Sequence, residues 1–139
     1  MDIKVIALDI WGTVLPSDDA DKELRPRNGI ESFLEECERR KIKVVSASDA
    51  PIETVRIDMV DYGINIERFD RFYQLKMVPK NFSQIISDYG IKPRELLVIG
   101  DTPGKDIEGA IIAGAEYRLV NSYRSHQDDF DFSRDVFKK

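Results

Sequence analysis

The stretch Val5-Ile6-Ala7-Leu8-Asp9-Ile10-Trp11-Gly12-Thr13-Val14-Leu15 decides the fold of this chain. Its first residues form an apolar run without polar alternation, which is typical of a strand buried on both faces of a parallel sheet. Asp9 ends the run, and a Gly-Thr turn follows shortly after it. Because ligands bind beyond the carboxyl ends of the strands in open α/β sheets, this stretch predicts a functional carboxylate at Asp9.

Similar apolar runs recur along the chain and alternate with segments of helical periodicity. Besides the strand at residues 3–9, strands are predicted over residues 42–46, 96–99 and 117–120, and residues 68–75 are a weaker candidate. Apolar residues spaced three and four apart predict helices between these runs, and glycines lie where helix C-caps are expected. The alternation predicts a Rossmann-like three-layer α/β/α sandwich around a central parallel sheet.

Composition narrows the functional classes. The chain has 139 residues, enough for one domain with its own core, and 26 acidic against 21 basic residues give a formal net charge of −5. This balance argues against a nucleic-acid or membrane-surface binder, and no apolar run approaches the roughly 18 residues of a membrane span. The lone Cys37 and the lone His126 predict neither a disulfide nor a zinc site. No signal-peptide pattern is recognised, so we expect a cytoplasmic location.

Polar side chains fall at or just after the ends of four predicted strands, namely Asp9, Ser46, Lys76 and Asp101. If the strands are parallel, these ends share one edge of the sheet, which places two carboxylates, a hydroxyl and an ammonium in one crevice. Two acids suit a hard divalent cation such as Mg²⁺, and the hydroxyl and ammonium suit a phosphate or another anion. Asp106, a few residues beyond Asp101, is expected to support the metal shell.

These motifs, in this order, resemble those of the haloacid dehalogenase (HAD) superfamily, most of whose members are phosphohydrolases. The similarity runs from about residue 3 to residue 121, so residues 1–121 are expected to form the hydrolase core. Residues 122–139 form a charged extension that we expect to pack on this core as a short helix or strand and then to fray. The four motifs are similar to Asp9-Ile10-Trp11-Gly12-Thr13-Val14, Val44-Val45-Ser46, Lys76-Met77-Val78-Pro79 and Gly100-Asp101 through Asp106.

The resemblance implies which residues carry the chemistry at the metal. Asp9 would be the nucleophile, forming a covalent aspartyl-phosphate intermediate that water then hydrolyses. The Asp9 carboxylate, the backbone carbonyl of Trp11 and the Asp101 carboxylate would ligate Mg²⁺, with Asp106 completing the metal shell.

The resemblance also implies how the phosphate would be bound. Lys76 would neutralise the transferring phosphoryl group. Thr13 and Ser46 would donate hydrogen bonds to its oxygens. Ser48 stays an alternative to Ser46, because the sequence does not fix the register of Ser46-Ala47-Ser48.

The chain departs from the phosphatase pattern at Trp11, where phosphatases of this superfamily carry an Asp that protonates the leaving group. Losing such an acid typically costs on the order of 10²–10⁴ in rate. One alternative is a phosphatase of reduced power, or one whose leaving group needs no proton, such as an acyl phosphate. A second is a dehalogenase-like or phosphonate-cleaving enzyme, although dehalogenases work without magnesium and this chain keeps an acidic fourth motif. A third is a degenerate domain that binds phosphate or a partner.

The resemblance bears on substrate and partners as well. Residues 16–22 form a short polar flap and residues 77–90 hold one helix, so neither place has room for a cap domain. Capless relatives tend to act on large substrates or to close their sites by oligomerising. We therefore expect a phosphorylated substrate, either a small molecule or a macromolecule, and a homo-oligomer is compatible with the pattern.

Overall fold

The computed structural model describes residues 2–21 and 23–137, which form five strands and five α-helices. No helix in these ranges has the length and apolar composition that crossing a membrane requires. The strands are β1 (Val5–Leu8), β2 (Lys43–Ser48), β3 (Arg71–Gln74), β4 (Leu96–Gly100) and β5 (Glu116–Leu119). The helices are α1 (Ile30–Arg39), α2 (Ile52–Asp61), α3 (Ser83–Tyr89), α4 (Glu108–Ala113) and α5 (Phe132–Asp135).

The strands form one parallel sheet in the order β3-β2-β1-β4-β5. Strand β1 lies in the centre, where Leu8 pairs in register with Ser46 on one side and Ile99 on the other. All four residues of β1 are buried, as its unbroken apolar run predicts. Since every strand is parallel, all carboxyl ends lie along one edge of the sheet.

Helices cover both faces of the sheet and divide the core into two layers. On one face, Ile6 and Leu8 of β1 pack with α1, α2 and α5. On the other face, Val5 and Ala7 pack with α3 and α4. The three-layer sandwich predicted from the sequence is therefore confirmed.

The strand boundaries differ from the sequence prediction by one to three residues, and the differences in β2 and β3 bear on the site. Strand β2 continues two residues beyond the predicted end and stops at Ser48, so Ser46 lies inside the strand. The weaker candidate over residues 68–75 is a strand, but a short one at the edge of the sheet and only partly buried. A wider helical turn at Pro103–Ile107 precedes α4.

The connections between elements contain no cap domain within the described residues, as predicted. Between β1 and α1, the chain passes through turns at residues 9–29, of which residue 22 lies outside the described ranges. Between β3 and α3, the connection is limited to residues 75–82. The carboxyl edge of the sheet is consequently bordered by the loops that follow the strands and by the segment after β5.

The C-terminal extension packs against the core through α5. Phe132 is fully buried, and its ring centroid lies 5.2 Å from that of Phe33 in α1 and 5.0 Å from that of Phe130. Asp131 caps the helix by accepting hydrogen bonds from the backbone N–H groups of Ser133 and Arg134. The fraying predicted for the last residues concerns positions 138 and 139, which lie outside the described ranges.

We expect Phe132→Ala to lower the free energy of unfolding by about 3–5 kcal/mol, because it removes a fully buried ring and leaves a cavity against α1. Urea unfolding measures the change. Ile112→Ala in α4 is the control: its side chain is 71% exposed, so the change should stay within about 0.5 kcal/mol. A loss in Phe132→Ala no larger than in the control would mean that α5 does not belong to the cooperative core.

Candidate active site

Asp9 is held in place immediately after the central strand. Its backbone N–H donates to the carbonyl of Ile99 at 3.0 Å, which continues the sheet by one residue. One carboxylate oxygen, Oδ1, lies 2.9 Å from Nζ of Lys80, and the other, Oδ2, accepts a hydrogen bond from Oγ1 of Thr13 at 3.1 Å. The side chain is 13% exposed, so this fixed carboxylate can still be reached from solvent.

Two further carboxylates lie beside Asp9. Asp9, Asp101 and Asp106 each offer an oxygen, and these oxygens all lie within 4.8 Å of one another. Asp101 accepts hydrogen bonds from Oγ1 of Thr102 at 3.1 Å and from Oγ of Ser122 at 2.7 Å. Asp106 is buried and accepts from the backbone N–H of Thr102 at 3.2 Å. The structure therefore brings together the two acids predicted at strand ends and Asp106, which was expected to support the metal shell.

Glycines allow the chain to approach these acids closely. Gly12, in the turn after Asp9, has a positive φ of 84°, and a Cβ at this position would overlap the carboxylate of Asp101. Gly100, the last residue of β4, would carry a Cβ into the carboxyl group of Asp106. A larger residue at either position would push an acid away from the cluster.

Lys80 supplies the positive charge inside the acid cluster. Its side chain is only 2% exposed, and Nζ lies 2.9 Å from Asp9, 2.6 Å from Oδ1 of Asp106 and 2.7 Å from the carbonyl of Ala47. Both carboxylates make ion pairs with it, although the approach to Asp106 lacks the angles of a good hydrogen bond. A buried charge of this kind is stable only when it is paired.

The structure does not bring Lys76 to this site, contrary to the prediction. Strand β3 ends at Gln74, and the chain then leaves the edge of the sheet, so Lys76 is exposed. The connection turns back four residues later, where Lys80 precedes the buried Phe82 at the start of α3. One signal in the sequence is the position of Lys80 two residues before Phe82, the apolar residue that directly precedes α3, but this position alone does not select Lys80 over Lys76.

The remaining predicted residues differ in how much of their hydrogen-bonding capacity is in use. Thr13 is fully buried, and its hydroxyl donates its only proton to Asp9. Ser48 accepts a hydrogen bond from the backbone N–H of Ala50 at 3.1 Å. Ser46 is also buried, yet its Oγ has no hydrogen-bond partner in the described part of the chain. An unsatisfied buried hydroxyl costs about 1–3 kcal/mol, which makes Ser46 a candidate for contact with a ligand. Ser48 stays the alternative, because it only accepts here and its hydroxyl proton remains available.

Trp11 lies in the turn after Asp9, at the position where the resemblance to phosphatases leads us to expect an acid. Its side chain is partly buried and packs against the core layer that contains α1, α2 and α5. An indole has one N–H donor and no ionisable group, so Trp11 can neither deliver a proton to a leaving group nor activate a water molecule.

The electrostatics of the cluster follow from burial. Burial, with a smaller contribution from Asp106 and Asp101, raises the pKa of Asp9 to about 7 against the opposing charge of Lys80. Burial likewise raises the pKa of Asp106, again against the charge of Lys80. For Lys80, burial alone lowers the pKa, but the two carboxylates outweigh it and the pKa lies above its usual value.

These groups fit a hard divalent cation. Three carboxylates face a single ammonium group, so the ionised site carries an excess of negative charge. Mg²⁺ takes oxygen ligands, commonly one or two carboxylates together with water and phosphate oxygens. The donors present are of the right kind, and the excess negative charge favours binding of a cation over binding of a free anion.

The class of this protein is established by its sequence. A family model for haloacid dehalogenase-like hydrolases matches residues 18–114, more than half of the chain. The chain therefore belongs to the haloacid dehalogenase-like hydrolase family, and the prediction made from its four motifs is confirmed. No curated protein sequence matches the chain.

Solved structures share its fold at low sequence identity. A predicted phosphoglycolate phosphatase from Haemophilus somnus 129PT is 15% identical, with a TM-score of 0.74 over 96% of both chains. The N-terminal part of BF1531 from Bacteroides fragilis, which contains a phosphatase domain complexed with Mg, is 14% identical with a TM-score of 0.67, over 84% of this chain and 36% of that one. A mutant of CbbY from Rhodobacter sphaeroides in complex with xylulose-(1,5)-bisphosphate is 12% identical with a TM-score of 0.70, over 94% and 95%.

We expect the metal-free protein to lose stability as the pH rises from about 4 to about 7. The pKa of Asp9 is near 3.9 when unfolded and about 7 when folded. The folded state therefore binds more protons in this range, and the free energy of unfolding falls by up to about 1.4 kcal/mol per pH unit. Asp9→Asn removes this titrating group, so the free energy of unfolding of the variant should depend less on pH.

Urea unfolding in the presence of a chelator, at several pH values, measures this difference. Asp61→Asn is the control, because it removes an exposed carboxylate at the end of α2. Parallel curves for the wild type and Asp9→Asn would contradict the raised pKa of Asp9.

Proposed function

We propose that this hydrolase is a Mg²⁺-dependent phosphatase that uses Asp9 as its nucleophile. The observation that carries the proposal is the Asp9 carboxylate, which is fixed by Lys80 and Thr13 at the end of the central strand, beside two further acids. Two relatives with the same fold support the type of reaction. One is described as a predicted phosphoglycolate phosphatase, and another contains a phosphatase domain complexed with Mg.

The chemistry begins with the ionised Asp9. One carboxylate oxygen attacks phosphorus, and the bond between phosphorus and the leaving oxygen breaks as the new bond forms, so the electron pair departs with the leaving group. Water then attacks the aspartyl phosphate, releases inorganic phosphate and restores the carboxylate. Lys80 assists both steps, because its ammonium favours the ionised form of Asp9 and opposes the negative charge that collects on the phosphoryl oxygens.

The other site residues have roles in binding. The carboxylates of Asp9 and Asp101 and the backbone carbonyl of Trp11 would hold the Mg²⁺, which supplies positive charge next to the phosphoryl group. Asp106 is buried against Lys80 and would support this arrangement. The unpaired hydroxyl of Ser46 would donate to a phosphate oxygen. Thr13 fixes the orientation of Asp9.

Trp11 restricts the substrate to compounds whose leaving group departs without a proton from the enzyme. Acyl phosphates and phosphates of acidic phenols meet this condition, because their leaving groups are weak bases. Alkyl phosphates do not, and without a general acid their hydrolysis should be slower by a factor on the order of 10²–10⁴.

Trp11 also favours a second candidate function, a domain that binds Mg²⁺ and phosphate with little turnover. The acid cluster and the free hydroxyl of Ser46 would serve binding equally well. A dehalogenase is the weaker alternative, because three acids that suit Mg²⁺ would have no purpose in a reaction that needs none.

We expect the wild type to release phosphate from acetyl phosphate and from para-nitrophenyl phosphate, and far more slowly from phenyl phosphate. Asp9→Asn should abolish release from all three. Trp11→Asp should narrow the ratio of kcat/KM between the two phenyl esters by at least about tenfold, since it restores a proton donor. Steady-state phosphate release with Mg²⁺ and with a chelator gives these values. Release that survives in Asp9→Asn would exclude Asp9 as the nucleophile, and Mg²⁺ binding without release by the wild type would favour the binding domain.

We expect Lys80→Met to lower kcat/KM by a factor on the order of 10²–10³, because it removes the positive charge beside Asp9. Lys76→Met is the matched control, being the same substitution at an exposed position of the same connection, and should change kcat/KM less than about threefold. Circular dichroism spectra establish that both variants are folded. The opposite order of effects would restore Lys76 as the phosphate-binding lysine.

A further inference from the structure

Residues 121–128, which we name the C-terminal clamp, cross over the loop that follows Asp9. The backbone N–H of Tyr123 donates to the carbonyl of Gly12 at 2.9 Å, and the N–H of Ser17 donates to the carbonyl of Tyr123 at 3.0 Å. The N–H of Asp21 donates to the carbonyl of Arg124 at 3.2 Å. The clamp is thus bonded along its backbone to the loop and to the flap that continues from it.

A buried arginine joins the clamp to the same loop. The guanidinium of Arg27 makes two contacts with the carboxylate of Asp128, at 2.5 Å and 3.1 Å, and its side chain is fully buried. The same group donates to the carbonyls of Gly12 and Thr13, both at 3.3 Å, and to that of Asn121 at 2.6 Å.

The arginine is also enclosed by aromatic rings. Its guanidinium carbon lies 5.4 Å from the ring centroid of Tyr123 and 5.0 Å from that of Phe130. The paired charge and the rings leave Arg27 one orientation, and in that orientation it fixes the backbone carbonyls of the loop after the nucleophile.

The clamp also reaches an acid of the candidate site directly. Oγ of Ser122 donates to Oδ2 of Asp101 at 2.7 Å, and Asp101 belongs to the group of three acids. The other oxygen, Oδ1, accepts from Oγ1 of Thr102 at 3.1 Å, so each oxygen of Asp101 has one hydrogen bond and keeps a lone pair for a cation. Partners that hydrogen-bond to metal ligands in this way set the orientation of those ligands.

We propose that Ser122 and the Arg27–Asp128 pair are positioning residues for cation binding, so that the C-terminal clamp is part of the active site. Ser122 sets the orientation of Asp101. The Arg27–Asp128 pair sets the path of the loop that carries Trp11. In the sequence, Trp11 lies between Asp9 and the two residues whose carbonyls accept from Arg27. None of the three touches the substrate. The inference rests on the proposed function, because it concerns the same cation site.

The first test compares Ser122→Ala with Ser122→Thr by calorimetric titration of the complete protein with Mg²⁺. Ser122→Ala should weaken Mg²⁺ binding by about 10- to 100-fold, and Ser122→Thr, which keeps a hydroxyl, should retain most of the affinity. A purely structural role would lower the melting temperature of Ser122→Ala without changing the affinity of the folded protein. Equal affinities in the wild type and Ser122→Ala would overturn the inference for Ser122.

Arg118→Met is the matched control for the extension. Arg118 also holds the extension, by donating to the carbonyl of Asp135 at 3.1 Å and by lying 5.5 Å from the ring centroid of Phe130. It makes no contact with the loop after Asp9 in the described residues, so its replacement should leave the Mg²⁺ affinity unchanged. A loss of affinity in Arg118→Met as large as in Ser122→Ala would reduce the clamp to general support of the fold.

The second test uses Asp128→Asn, which removes the charge that pairs with Arg27 and keeps the shape of the side chain. Hydrogen exchange of the backbone amides of residues 12–15, measured without Mg²⁺, should be at least about tenfold faster than in the wild type, since the loop loses its fixed donor. Unchanged exchange at these amides would overturn the role of the pair.

Phosphate release measured on the same samples separates the two proposals. A wild type that binds Mg²⁺ and releases no phosphate contradicts the proposed activity, whereas the effects of Ser122→Ala on binding would still stand. Equal Mg²⁺ affinity in Ser122→Ala together with active wild type contradicts the positioning role and leaves the phosphatase proposal intact.

Discussion

The ion pairs of Lys80 with Asp9 and Asp106 are the interaction on which the arrangement of the candidate site depends. Three carboxylates converge at the carboxyl edge of the sheet, where partial burial makes their mutual repulsion costly. One ammonium placed between two of them offsets part of this cost. The remaining negative charge is what gives the site its preference for a cation, so the charge that weakens the fold is also the charge that the proposed chemistry needs.

The rest of the molecule holds these charges at short distance. The parallel sheet brings Asp9 and Asp101 to the same edge, because β1 and β4 are neighbours and run in the same direction. Gly12 and Gly100 leave the space in which carboxylates can approach the backbone. The C-terminal clamp then fixes the loop after Asp9 from outside. The site is therefore assembled from five separate parts of the chain: the loop after β1, strand β2, the connection before α3, the loop after β4 and the clamp.

Much of this arrangement could be predicted from the sequence. Unbroken apolar runs identified the strands, and the parallel order followed from their alternation with helices, so the positions of Asp9, Asp101 and Asp106 at one edge could be expected. The lysine of the site could not be predicted in this way. Strand-end reasoning selects the first lysine after β3, but that strand is short and partly buried, so no periodicity determines which way the following residues face. Lys80 depends on how the connection turns back into α3.

The choice between Ser46 and Ser48 and the role of the buried arginine could not be predicted from the sequence, for other reasons. Which of the two serines is left without any hydrogen bond depends on the turn after β2, where Ser48 accepts from the backbone N–H of Ala50. Arg27 and Asp128 are 101 residues apart, and each is of a residue type that is usually solvated. From the sequence, such charged residues are expected on the surface. The packing of Tyr123 and Phe130 around the guanidinium, which buries the pair, cannot be seen in the sequence.

The long separation of Arg27 and Asp128 along the sequence affects how the protein folds during its synthesis on the ribosome. The strand that carries Asp9 is synthesised before its neighbour β4 and before the clamp. Until both have emerged, the central strand lacks one of its two partners, and the loop after Asp9 lacks the residues that hold it. During this period the nascent chain exposes one edge of an apolar strand, so formation of the site waits for contacts that are distant in the sequence.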